Sequence, residues 1–269
     1  MRLIDAHCHL QAGPFENDAA EVLTAARSGG VVRVLVPGYD LESSLLSVTL
    51  ARTLDVDASV GIHPHVADGS EDVWADVVAL ASDPAVVGVG ETGLDYDRGF
   101  SPRTAQLANL DRHLRLAKDL DKPAILHCRS KPGQRDAQDD LVLSLRRNGR
   151  PPALLHSFSG PVNYAEKALE MGLAISFSGL VFRKGEEASA EVARLTPADR
   201  LLIETDSPYL SPPGAPKRRN EPRWVSITAA WLAQQRGADP DALGETLVAN
   251  YDRVFSRPRN RSRPSASSR

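Results

Sequence analysis

The chain has 269 residues, 42% hydrophobic and 25% charged, with a formal net charge of -3. That composition excludes a disordered protein and a disulfide scaffold, and no apolar run approaches membrane-spanning length. The charge is uneven: the last fourteen residues hold five arginines and no acid, leaving about -8 on the rest, so a polyanionic partner would have to meet a local basic patch or bound cations.

Apolar runs and helical periodicity alternate along the chain. Leu3 to His7 is predicted as a strand and Asn17 to Ser28 as a helix stopped by Gly29 and Gly30. Val31 to Val36 is an apolar run closed by Pro37 and Gly38, and Leu41, Leu45, Val48 and Ala51 form one face of a helix from Leu41 to Leu54. A strand at Val56 to Ile62, a helix at Glu71 to Ser82, a strand at Ala85 to Gly90 and a long helix at Thr104 to Leu120 follow. The second half repeats the alternation. Strands are predicted at Ala124 to His127, Ala153 to His156, Leu173 to Phe177 and Leu201 to Glu204; helices at Asp136 to Arg147, Asn163 to Met171, Glu186 to Arg194, Trp224 to Arg236 and Asp241 to Phe255. Eight strand-helix units predict an α/β protein of the (β/α)8 TIM-barrel class, with a doubly wound sheet as the rival. No linker divides residues 1–255, which are expected to form one domain. Residues 256–269, rich in Arg, Ser and Pro, are expected to be disordered, as a solubilising tail or a tether for a polyanion.

Cys8 and Cys128 each adjoin a histidine and form no Cys-x-x-Cys pair. They are expected to be reduced, in a cytoplasmic protein. The N-terminus, one arginine followed by Asp5 and His7, does not read as a signal peptide, and no membrane association is expected.

Polar residues collect where apolar strands end. His7 and His9 close the first strand, spaced so that both side chains leave one face. His63 and His65 follow the third, Glu91 ends the fourth, His127 the fifth, His156 the sixth, and Asp206 follows the eighth; only His113 lies within an outer helix. In a barrel these ends converge on one mouth. Four imidazoles and two carboxylates there suit two divalent cations: His7, His9 and Asp206 on one, His127 and His156 on the other, with Glu91 bridging. The ligand types admit Zn, Mn, Fe or Ni, and carboxylates with water keep Mg open.

The segments His7-Cys8-His9, Gly61-Ile62-His63-Pro64-His65, Gly90-Glu91-Thr92-Gly93-Leu94-Asp95-Tyr96, Leu126-His127-Cys128-Arg129, His156-Ser157-Phe158-Ser159-Gly160 and Glu204-Thr205-Asp206-Ser207-Pro208-Tyr209-Leu210 resemble the TatD family of metal-dependent deoxyribonucleases. Arg219-Asn220-Glu221-Pro222 and the stretch from Asn250 to Phe255 also fit, so the resemblance covers all but the tail. It implies an amidohydrolase-type barrel that binds one or two divalent metals, two here by the ligand count, and hydrolyses DNA. Family members are commonly 3′-to-5′ exonucleases on single-stranded or damaged DNA, which implies a single-stranded or 3′-ended substrate and a role in DNA repair or degradation. The six proposed ligands fall on the family's positions. His65 and Arg129 fall where the family handles substrate phosphate, and Glu204 is placed as a carboxylate behind the ligands or a proton acceptor. Glu91 separates the chain from related hydrolases bridged by a modified lysine. One departure is the insertion Ser130-Lys131-Pro132-Gly133-Gln134 before Arg135-Asp136-Ala137, which makes either Arg129 or Arg135 the motif arginine.

Lys217, Arg218, Arg219 and Arg223 form the densest basic cluster of the body. At the mouth they would grip phosphates without reading bases; otherwise they form a solvated loop. Tyr96, Phe158, Phe177 and Tyr209 lie near strand ends, to stack a base or to line the barrel mouth. The classes left open are a metal-dependent nuclease, a small-molecule hydrolase on the same barrel, and a nucleic-acid-binding protein with an inactive site.

Overall fold

The short, branched apolar runs form eight parallel strands, each hydrogen-bonded to the next in chain order. The structure, a computed structural model, describes residues 1–255; the expected arginine-rich tail lies outside the described residues. The strands are β1 Leu3–Asp5, β2 Val31–Pro37, β3 Asp57–Val60, β4 Val86–Asp95, β5 Ala124–Arg129, β6 Ala153–Leu155, β7 Ala174–Phe177 and β8 Leu201–Ile203. Helices α1 Ala19–Ser28, α2 Leu41–Thr53, α3 Trp74–Ala81, α4 Arg103–Asp119, α5 Asp136–Arg147, α6 Val162–Glu170 and α7 Ala188–Leu195 connect them, and α8 Val225–Arg236 and α9 Pro240–Val254 follow β8. This is the (β/α)8 TIM barrel, and the doubly wound alternative is excluded by the strand order. Among the described residues no helix is long and apolar enough to cross a membrane.

The last strand meets the first. Ala6 N donates to Ile203 O at 3.0 Å, Asp206 N to His7 O at 2.9 Å and His9 N to Ser207 O at 2.8 Å. A buried polar ladder runs beneath this seam. Asp5 Oδ1 accepts from Thr205 N at 2.9 Å, the Thr205 hydroxyl donates to Asp5 Oδ2 at 2.6 Å, and Ser207 Oγ lies 2.8 Å from that hydroxyl and 3.1 Å from Cys8 Sγ. Burial pushes the Asp5 carboxyl up to about 8, a measure of how dry the seam is.

Strand β4 departs most from expectation, running five residues beyond Gly90 to Asp95. Its pairing with β5 slips between Val89 and Thr92 and then resumes, Thr92 opposite Leu126 and Asp95 opposite Arg129. Glycines permit the slip. Gly90 has φ +136 and Gly93 φ +142, and a Cβ at Gly93 would collide with the His127 carbonyl. With period-two alternation, the extension sends Glu91 and Asp95 to the same face.

Helix α4 anchors the segment that follows β3. His113 Nε2 accepts from Ile62 N at 3.0 Å, while Asn109 Nδ2 donates to Ile62 O at 2.7 Å. His113 is therefore a structural histidine, its pKa taken down to about 3 by burial. Below the barrel, Asn250 Nδ2 donates to Ala198 O at 2.7 Å and Leu201 O at 2.8 Å, docking α9 under β8.

Asp5→Ala removes the acceptor of three buried donors, His7 N, Thr205 N and the Thr205 hydroxyl, and is expected to cost about 2–4 kcal/mol. Asp5→Asn, which keeps an acceptor toward Thr205 N, should cost less. Urea denaturation monitored by circular dichroism reads the difference; equal losses would show that the ladder does not hold the seam.

Candidate metal centre

Six of the seven histidines reach the mouth from the ends of β1, β3, β5 and β6. They surround Glu91, which is 3% exposed. Its two oxygens face different partners. Oε2 lies 3.3 Å from His7 Nε2 and 3.6 Å from His9 Nε2; Oε1 lies 2.9 Å from His156 Nε2, 3.2 Å from His127 Nδ1 and 3.3 Å from His63 Nε2. Asp206 adds Oδ1 on the first side, 3.4 Å from His9 Nε2 and 3.8 Å from His7 Nε2. Asp206 holds its position at φ +53, an uncommon conformation for a side chain with a Cβ and one met at functional sites.

These separations fit shared cations. Donors about 2.1 Å from one ion lie roughly 3.0–3.4 Å from each other, depending on coordination number. Imidazole lone pairs and carboxylate oxygens at such distances repel unless a proton or a cation stands between them. His7 Nδ1 and His9 Nδ1 are buried with no hydrogen-bond partner, while the two Nε2 atoms converge to 3.2 Å. The converging nitrogens are the ones available to an ion.

Charge follows the same pattern. Burial opposes the charge on Glu91, but His156, His63 and His7 around it hold its carboxyl well below the usual range. Asp206, also opposed by burial, is lowered by His9, His7 and His156. Burial works against a charged His156, yet Glu91 and Glu204 raise it well above an ordinary histidine. His127, likewise opposed by burial, is raised by Asp95 and Glu91. Without a cation, protons gather on these imidazoles to balance the carboxylates.

His63 stands with Glu91 and His127 as a third group of donors close enough to share an ion, but its own hydrogen bond sets the tautomer. Its Nδ1 accepts from the His65 amide at 3.1 Å, so the neutral ring carries its proton on Nε2, facing Glu91. Burial takes its pKa down to about 4, which keeps it neutral. It is a hydrogen-bond donor to the carboxylate.

Carboxylates behind the ring fix the imidazoles. Glu204 Oε1 is 3.1 Å from His156 Nδ1; fully buried, it does not line the cavity, so of the two roles expected for it the orienting one matches its place. Asp95 was not foreseen. Its Oδ2 lies 3.1 Å from His127 Nε2 and 2.9 Å from His65 Nε2, and its Oδ1 accepts from Asp97 N and Arg98 N at 3.1 and 2.9 Å. The signal was the period-two spacing from Glu91.

The mouth opens into a cavity of about 810 Å³ bordered by His9, Glu91, Asp206, Arg98, Arg129 and Arg183, among others. His65 and Arg129 are at the cavity, Arg129 Nη2 sitting 2.7 Å from Asp97 Oδ2. Arg135 is exposed at the start of α5 and does not line it. Nor does the expected basic rim. Arg219 Nη2 donates to both Asp18 oxygens at 2.7 Å and its guanidinium covers Phe15 at 4.9 Å, tying this loop to the start of α1. Arg223 pairs with Glu221 at 2.9 Å, while Lys217 and Arg218 are exposed outside the cavity. Sequence clustering could not show that nearby acids and Phe15 take up these arginines, or that Arg98 and Arg183 come to the mouth. Phe158 and Phe177 are core residues, and Tyr96 donates to Asp140 at 2.7 Å; of the four aromatics considered, Tyr209 lines the cavity.

Comparison with known proteins shows the family. The family model described as TatD related DNase matches residues 4–256. The chain is 36% identical over 261 residues to the "3'-5' ssDNA/RNA exonuclease TatD" of Cronobacter sakazakii, covering 94% of this chain and 97% of that protein. It is 32% identical over 257 residues to the "Uncharacterized metal-dependent hydrolase YabD" of Bacillus subtilis, covering 94% and 98%. Among solved structures, the TatD homologue YJJV of Escherichia coli k12 superposes with a TM-score of 0.85 at 30% identity, over 96% of this chain and 99% of that one.

Two outcomes are expected of cation binding. Asp95→Asn places an amide against two imidazole N–H groups and should weaken divalent-cation affinity by about 10–100-fold, read by equilibrium dialysis, with the melting temperature little changed. Because His127 and His156 are raised, they carry protons near and below neutral pH that an incoming cation must displace. Apparent affinity should therefore rise with pH, with about one proton released per imidazole in calorimetry across two buffers. Binding without proton release would contradict the assignment of these ligands.

Proposed function

Since the chain belongs to the family of TatD-related DNases, we propose that it is a metal-dependent nuclease that hydrolyses DNA phosphodiester bonds, acting on single strands from the 3′ end in repair or degradation. The observation that carries the reading is the division of Glu91, one oxygen toward His7 and His9 and the other toward His127 and His156. The relatives' names support the substrate class, and the intact donor set weighs against a purely binding role. Three arginines at the cavity, Arg98, Arg129 and Arg183, suit a polyanion better than a neutral small molecule.

In this reading His7, His9 and Asp206 would hold one ion and His127 and His156 a second, with Glu91 available to both and Mg, Mn or Zn as candidates. Bound there, divalent cations supply a water that is acidic at neutral pH and positive charge opposite the phosphate oxygens. The protein's own groups do the rest. Asp206, which lines the cavity beside His9, would accept a proton from the attacking water. His63 steadies the Glu91 carboxylate through Nε2–H, while Glu204 and Asp95 hold His156 and His127 in orientation. His65 and the three arginines bind the non-reacting phosphate oxygens and their neighbours. A bond forms from water oxygen to phosphorus as the bond to the leaving sugar oxygen breaks, and the proton ends on that oxygen.

Purified protein supplied with Mg, Mn or Zn should shorten single-stranded DNA from its 3′ end, shown by 3′- and 5′-labelled single-stranded, duplex, abasic and RNA substrates. Chelation should abolish the reaction. Glu91→Gln and His127→Ala should each slow it by about a hundred-fold or more with unchanged circular dichroism. Full activity in chelator, or in Glu91→Gln, would overturn the reading.

A further inference from the structure

From the loop between β4 and α4 we infer a nucleobase subsite: Phe100 is the platform on which an unpaired base next to the scissile phosphate stacks, and Arg98 receives a flanking phosphate. The inference rests on the nuclease reading above and specifies how that site grips its substrate.

Phe100 is the most exposed of the large hydrophobic side chains, 67% accessible, on a segment whose composition, Asp97-Arg98-Gly99-Phe100-Ser101, is that of a polar turn. A large apolar side chain left open at a cavity mouth is the informative kind of exposure. Its one ring contact is His65, edge to face at 4.8 Å, and His65 itself is fixed to Asp95. The loop is rigidly held at both ends. Asp95 Oδ1 accepts from Asp97 N and Arg98 N. Buried Ser101 Oγ accepts from Asp68 N at 3.1 Å and donates to His65 O at 3.0 Å, while Gln106 Nε2 donates to Ser101 O at 2.9 Å. The ring is thus presented to the cavity on a preorganised support, which lowers the entropic cost of using it.

Charge points to the occupant. Arg98 lines the same cavity, two residues from Phe100, and forms no ion pair among the described residues. A cation and an aromatic face side by side, next to a phosphodiester centre, match one nucleotide: phosphate on the guanidinium, base on the ring. Tyr209, 57% exposed, lines the same cavity and packs against His9 at 5.9 Å, giving the mouth a second open aromatic ring. A base paired within a duplex cannot lay its face on Phe100, so the subsite favours single strands.

The test compares oligonucleotides that are identical except for one abasic residue on either side of the terminal linkage. Wild-type protein should cleave the complete strand faster than one of the two abasic strands by roughly ten-fold or more in kcat/KM, the size of one base-aromatic stack. In Phe100→Ala and Phe100→Leu the two substrates should converge, and Phe100→Trp should restore the difference. Anisotropy binding of labelled strands without divalent ions should show the same pattern in Kd. A wild-type enzyme indifferent to the missing base, or a Phe100→Ala variant that keeps the wild-type ratio while losing rate on both substrates, would overturn the inference and leave the nuclease reading standing. Failure to cut any strand with Mg, Mn or Zn would remove the nuclease reading, and the subsite with it.

Discussion

The site depends on a carboxylate that could not survive alone. Glu91 is almost wholly buried, and an isolated charge there would cost several kcal/mol. Its stability comes from imidazoles on both sides that arrive from different parts of the barrel: β1 leads into His7 and His9, while the neighbouring strands β5 and β6 bring His127 and His156. Removing Glu91 would take away the carboxylate that faces both groups of imidazoles and leave Asp206 beside His7 and His9, and removing the imidazoles would leave a buried anion. The two halves are therefore mutually obligatory. The slip in β4 that Gly90 and Gly93 permit is what puts the carboxylate at their common centre.

Further acids stand around that centre, each against particular imidazoles. Glu204 fixes His156, Asp95 fixes His127 and His65, and Asp206 completes the first ligand group. Such outer contacts select the tautomer and the ring angle, which decides whether a nitrogen presents a lone pair or a proton. His63 shows the other outcome. A single backbone amide at its Nδ1 turns it from a ligand into a donor, although it stands as close to Glu91 as His127 does.

Much of this was legible in the chain. Strand-helix alternation predicted the barrel because alternation and crossover length are local properties, encoded within about thirty residues, and the strand-terminal histidines pointed to the mouth where the structure gathers them. The true end of β4 was not legible, since a glycine after an apolar run reads as a stop unless the register with β5 is known. Asp95 was hidden for the same reason. The arginines were misread in a different way: Lys217 to Arg223 look like a phosphate grip, but Arg219 belongs to Asp18 and Phe15, two hundred residues earlier. Phe100 gave no signal, because a lone aromatic in a polar turn has no periodicity to betray its orientation.

The seam between β8 and β1 has a consequence for how the chain comes to life. His7 and His9 precede Asp206 by about two hundred residues, yet the structure gathers the three side chains together and joins them through Asp206 N to His7 O. A nascent chain can form most of its strands and still lack this cluster, because Asp206 arrives only after the last strand. The convergence of imidazoles and carboxylates is thus a property of the closed barrel and of no shorter piece of it.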